Sequence, residues 1–169
     1  MSVDSGLTEC SVSYQWRFEA PLGLVGVATV DGRVLAVPEV ADAPAWVGRL
    51  PAPVMAYTRV SRPGDGQGSL EHQAVPVARI ERIILHEAEL VACGSFGDTE
   101  LARHYAGALA VDAVAMAVNV HCPGEPQEQD GVLVYSGWSV AGVLMVNDSP
   151  WPAGSTSAPR VWREKLTGP

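Results

Sequence analysis

Residues 74–96 read AVPVARIERIILHEAELVACGSF, and the way this stretch folds decides the architecture of the chain. Val77, Arg79 and Glu81 alternate with Ala78, Ile80 and Arg82, an imperfect period of two that reads as strand. His86-Glu87 supplies a polar break, so the stretch predicts two antiparallel strands turning at that point. A single helix from Val77 to Leu90 is the competing reading, because a short apolar run satisfies both periods.

Upstream, residues 61–69 (SRPGDGQGS) form a glycine-rich loop signal, and Pro51 and Pro53 frame an extended stretch, PVMAYTRV. Ala41 to Leu50 reads as a short helical turn or a loop. From Tyr14, three runs read as strands: YQWRFEA, LGLVGVATV and VLAVPEV. Asp31-Gly32 between the second and third predicts a hairpin, since a type I′ turn needs positive φ at both central positions.

Downstream, Asp98-Thr99 marks a helix start, because either side chain accepts a hydrogen bond from an orphan first-turn amide. The helix is expected over Thr99 to Ala108, with Leu101, Ala102 and Tyr105 on one face. LAVDAVAMAVNV (109–120) then reads as a strand, His121 to Gly131 as a polar loop, and VLVYSGWSVAGVLMV as one or two last strands. Asn147 to Pro159 is rich in Pro, Ser and Gly. The tail VWREKLTGP reads as a short amphipathic helix or a docking arm. The sum is α+β, mainly β: a barrel or sandwich with one or two flanking helices. The chain divides into an arm (1–13), a domain (14–155) and a tail (156–169).

Composition narrows the function classes. With 47% apolar and 18% charged residues, the 169-residue chain fits one ordinary globular domain. A formal charge of -8, with eleven scattered Lys and Arg, argues against a nucleic-acid partner. No apolar run reaches membrane-spanning length, and the first residues show neither a basic start nor an apolar core, so a cytoplasmic protein is expected. Cys10, Cys93 and Cys122 lack metal or CxxC spacing, which predicts free thiols and no metal site. No glycine loop of phosphate-cradling type is present, and no cofactor is expected. Trp16, Trp46, Trp138, Trp151 and Trp162 read as core or interface anchors.

Three blocks, in order, carry a resemblance. The first is LPAPVMAYTRV, a glycine-rich gap, and HQAVPVARIERI, which opens on His72. The second is GSFGDTELARHYAGALAVDAV, and the third is WSVAGVLMVNDSPWPAG. Together they resemble the capsid maturation (prohead) proteases of tailed bacteriophages, over roughly Phe18 to Gly154. The resemblance implies an assemblin-like β-barrel with a serine and a histidine on neighbouring strands. It implies phage major capsid protein and scaffold as partners, inside a procapsid in the bacterial host cytoplasm. Self-association is left open.

That family has Gly-Val-Ser-Val-Asp opening a strand, and here Ala108-Leu109-Ala110-Val111-Asp112 occupies the place. A protease of this class needs a hydroxyl to attack, an imidazole to take its proton and amides to hold the oxyanion. By the resemblance His72 is the imidazole; its alternative is a surface histidine closing a loop. Ala110 stands at the position of the nucleophile and carries a methyl group. No Ser, Thr or Cys lies between Leu101 and Val120, so no shift of alignment restores one. The chain is then either a Ser→Ala variant of a protease or a natural pseudo-protease. Asp112, two residues on, is the candidate to orient His72; its alternative is a rim carboxylate facing solvent. Glu71 and His104 are weaker candidates. His121, at the far end of the strand, is too distant from Ala110 for direct contact.

Overall fold

The structure, a computed structural model, describes residues 13–38, 49–60 and 71–167, with the backbone alone for 58–60 and 71–72. The expected helical turn over 41–50 and the loop over 61–69 lie outside the described residues, except for residues 49 and 50. Among the described residues the chain is mainly β with one helix.

The deciding stretch forms two strands. β4 (Glu71–His86) and β5 (Glu89–Phe96) pair antiparallel, and Glu87 takes a left-handed φ of 57° at the turn. Val77, Ile80 and Ile83 are almost fully buried at a spacing of three, which a strand allows here because β4 carries an extra residue between Pro76 and Ala78 and another between Ile80 and Arg82. β4 pairs on its other side with β3 (Ala52–Val60). β1 (Tyr14–Leu24) pairs with β5 and runs straight through Pro21, longer than the expected YQWRFEA.

The Asp31-Gly32 expectation is corrected. β2 (Arg33–Leu35) is a three-residue strand, and only Gly32 of the two turn residues has positive φ, at 82°. The turn is closed instead by Thr29, whose amide donates to the Arg33 carbonyl and whose hydroxyl accepts from the Arg33 amide. The type I′ hairpin is at a later Asp-Gly pair. Asp130 (φ 50°) and Gly131 (φ 82°) join β7 (Gln127–Gln129) to β8 (Val132–Tyr135). β2, β8 and β7 form a small second sheet.

Thr99 caps helix α1 (Glu100–Ala110), accepting from the Ala102 amide at 3.1 Å. Ala102, Ala106 and Leu109 form its buried stripe. The helix takes Leu109 and Ala110 from the expected strand, and the chain turns over 111–114 before β6 (Ala115–His121). β9 (Ser139–Val146) pairs with β6 and, in parallel, with β3. Of the two readings of the tail, the helix is corrected and the docking arm is what forms. Arg160–Lys165 is β10, paired antiparallel along Tyr14–Glu19, so the tail begun at 156 belongs to the main sheet.

The main sheet runs β10-β1-β5-β4-β3-β9-β6 and curls, so that β6 comes close to β1. β10 edges the first half of β1, and the start of β6 approaches the second half near Ala20–Gly23. Inside the curl Phe18 meets Phe96 edge to face, with centroids 5.3 Å apart. Gly94 lies opposite Phe18 on β1 and Ile80 on β4. A Cβ there would overlap the Arg79 carbonyl and come within 2.9 Å of the Phe18 ring. Backbone cannot retreat as a flexible side chain can. Gly94→Ala should therefore lower stability by about 3 kcal/mol, read from urea unfolding, and a neutral result would contradict this packing.

In the turn before β2, the Arg33 guanidinium, 2.7 Å from Asp31, and the Thr29 hydroxyl at 2.6 Å hold the Asp31 carboxyl below its usual range. A carboxylate lowered on folding stabilises above its unfolded pKa, and that contribution is lost as pH falls through the folded value. Arg33→Ala should move the Asp31 midpoint up, measured by NMR of the side-chain carboxyl. An unmoved midpoint would remove Arg33 as the cause.

Candidate functional site

The resemblance singles out His72, Ala110 and Asp112, and the fold gives each a definite place. His72 is the second residue of β4, its backbone paired with Arg59 at the connected end of the β3–β4 hairpin. The side chain of His72 lies outside the described residues, as does that of Glu71. Ala110 is the last residue of α1 and is exposed. Asp112 is exposed in the following turn, with a left-handed φ of 57°, and its amide donates to the Leu109 carbonyl. Aspartate tolerates this conformation better than most residues.

The strand register relates these positions. Met55 of β3 pairs with Leu144 of β9, which pairs with Ala117 of β6. Continuing four residues along each strand sets Arg59, and with it His72, level with residues 148 and 113. His72 and the α1–β6 turn thus stand at one end of the sheet. They do not stand on neighbouring strands, as the resemblance implies. β3 and β9 intervene, three strand spacings or about 14 Å along a flat sheet, which curling shortens.

The setting of position 110 also differs from the expected strand opening. The final turn of a helix presents carbonyl groups without intrahelical partners, and its partial charge is negative. An oxyanion needs amide donors and positive potential. Ala113 and Asp112 donate back to the Ala108 and Leu109 carbonyls, so these two amides are already engaged.

What the seam does offer is a cleft. A cavity of about 320 Å³ opens where β1 changes neighbour from β10 to β6, walled by the α1–β6 turn on one side and residues 147–159 on the other. Leu109, Val114 and Met116 supply an apolar floor; Asp112, Asp148 and Ser149 supply polar groups. None of the residues lining it is Lys or Arg. The polar 147–159 segment reads from sequence as a loop, and nothing in its composition shows that it walls a cavity.

That segment is strapped down at two points. Trp151, 5% exposed, lays its ring over Gly23, and its Nε1 donates to the Val27 carbonyl at 3.2 Å. Glu89 accepts from the Ser157 amide at 2.7 Å and from its hydroxyl at 2.5 Å. His86 shares a second cavity with Glu89 and Ser157. The hydrogen bonding is that of a latch: Ser157 donates to the carboxylate, whereas a catalytic serine donates to an imidazole.

Among the described residues, no three His, Cys, Asp or Glu side chains gather to hold a metal ion. Cys93 and Cys122 are free thiols. His104 is exposed on its helix, and His121 closes β6. No helix among the described residues is long and apolar enough to cross a membrane.

Ala110→Ser would set a hydroxyl on an exposed helix end, where the Asp112 and Ala113 amides that follow are already engaged. It should remain unlabelled by a fluorophosphonate serine-hydrolase probe, at the background of the unaltered chain. Labelling that His72→Ala then abolishes would show a working Ser–His pair and overturn this reading. Comparison with protein-family models, curated proteins and solved structures found no match to this chain.

Proposed function

We propose that this chain is a pseudo-protease of the tailed-phage capsid-maturation type: an assemblin-like fold that binds capsid or scaffold polypeptide in the procapsid without cutting it. The observation that carries the reading is the segment Thr99–His121. It keeps a helix, an Asp and a strand in that order, although Ala110 ends the helix and Asp112 lies in the turn where the resemblance has both opening the strand, and it holds no Ser, Thr or Cys from Leu101 to Val120. A methyl group at Ala110 cannot form an acyl-enzyme, and loss of a triad nucleophile leaves only binding and oxyanion effects.

Three features support binding as what remains. The order of the three sequence blocks, the mainly-β curled sheet and its single helix are compatible with a barrel of this family. The cleft at the seam is lined by Leu109 and Asp112, which flank Ala110 in the chain. The charge of -8 suits a protein enclosed with scaffold, since a basic one would tend to hold nucleic acid.

Hydrolysis is the second reading of the same fold, and Ala110 disfavours it. Co-expressed with the major capsid and scaffold proteins of its phage, the chain should co-sediment with procapsids and leave both proteins at full length. A chain that stays in the soluble fraction while procapsids assemble normally would overturn the proposal. Processing that depends on this chain would reinstate the protease.

A further inference from the structure

We propose that the free edge of β10 is a docking strand for an extended acidic polypeptide segment, taken up as an eighth strand of the seven-stranded main sheet. The site is remote in chemistry from the seam cleft and does not depend on the phage reading.

The backbone is the first part of the argument. β10 pairs on one side with β1, and among the described residues nothing pairs with its other side. Leu166 donates to the Ser13 carbonyl, which fixes the phase of the antiparallel ladder. In that phase Glu164, Trp162 and Arg160 direct their amide and carbonyl groups to β1, and Val161, Arg163 and Lys165 direct theirs outward. Three consecutive outward residues are a ready template for an added strand.

Side chains decide what kind of strand fits. Arg160–Lys165 holds three of the eleven basic residues of a chain whose formal charge is -8, against one acid. On one face the charges are already matched: Arg160 lies 3.8 Å from Glu19, and Glu164 lies 3.3 Å from Arg17. On the other face Arg163 and Lys165 have no carboxylate partner among the described residues. Arg163 instead stacks over Tyr14 and Trp16, 4.8 and 5.7 Å from the ring centroids. That contact holds the guanidinium on a rigid aromatic platform and leaves it able to pair with an anion. Tyr14 is 52% exposed and Trp162 40%, so apolar ring surface flanks the same edge.

A charged edge strand is also a common guard against self-association, and here the charges make that guard selective. A twofold pairing of two β10 edges centred on Arg163 sets Arg163 against Arg163, and one centred on Glu164 sets Arg163 against Lys165. Like charges directly opposite are unfavourable. An acidic strand meets the opposite condition at the same positions.

The test uses the full chain and a short fluorescein-labelled peptide of alternating Glu and Val, with a Lys-Val peptide as its counterpart. Fluorescence anisotropy at low salt should show binding of the acidic peptide alone. Arg163→Glu with Lys165→Glu should weaken it about tenfold or more and favour the basic peptide. Arg163→Pro should also weaken it, because it removes an outward N–H and spares the ladder to β1. Unchanged thermal melting would show that each variant folds. Hydrogen exchange should slow at the Val161, Arg163 and Lys165 amides on binding, while Trp162 and Glu164 are protected beforehand. No binding, equal binding of both peptides, or protection elsewhere would overturn the proposal. So would a dimer in sedimentation that Arg163→Pro dissolves, since a second copy would then be the occupant.

Discussion

A sheet of seven strands brings its last member near its second only if its strands bend, and the bending here is done by register shifts. Each occurs where one strand carries an extra residue: at Pro21/Gly23 of β1, Val54/Met55 of β3 against β4, Ile80/Arg82 of β4, and Asn119/Val120 of β6. A bulge adds local twist and turns the strand. Gly94 sits at the tightest of these points, where the Arg79 carbonyl and the Phe18 ring close in from two sides. The curl gathers Phe18, Leu22, Val54, Ile80, Leu90 and Val143 into one interior. Without it the sheet would expose a face of large apolar side chains, and α1 would have no concave end to cover.

The same curl is incomplete, and the chemistry of the molecule gathers where it stops. β10 occupies the early half of β1, which leaves the late half to meet β6 across a gap. The 147–159 segment crosses that gap, held by Trp151 on Gly23 and by Glu89 on Ser157. The result is a cleft with an apolar floor and unmatched carboxylates at its rim, next to a helix end whose own partial charge is negative. Such a place is poorly suited to an oxyanion, which needs amide donors and positive potential.

Charge is distributed unevenly around β1. Arg17 bridges Glu81 at 2.9 Å and Glu164 at 3.3 Å, tying β4 and β10 to β1 across the outer face. These exposed pairs are each worth little in stability, so their role is one of registry more than strength. On the other face of the same edge the Arg163 guanidinium has aromatic rings under it, and among the described residues no carboxylate pairs with it or with Lys165. The edge therefore differs in kind from the acidic seam.

By itself the sequence determined the local structure wherever one physical rule governed a short segment. Thr99 as the helix cap, the turn at His86-Glu87 and the strand over Ala52–Val60 were legible because a cap, a polar break and an alternating run act within a few residues. Where two local rules competed, contacts with remote parts of the chain decided. Asp31-Gly32 and Asp130-Gly131 look alike, yet only the second has β-strands on both sides to impose the doubly left-handed turn. VWREKL is a plausible helix until β1 offers it a ladder, and Leu109-Ala110 extends α1 because Leu109 reaches the core from there. The placement of His72 relative to Ala110 was beyond local reading altogether. It depends on β3 and β9 pairing in parallel between them, a long-range choice set by which strands the curl brings side by side.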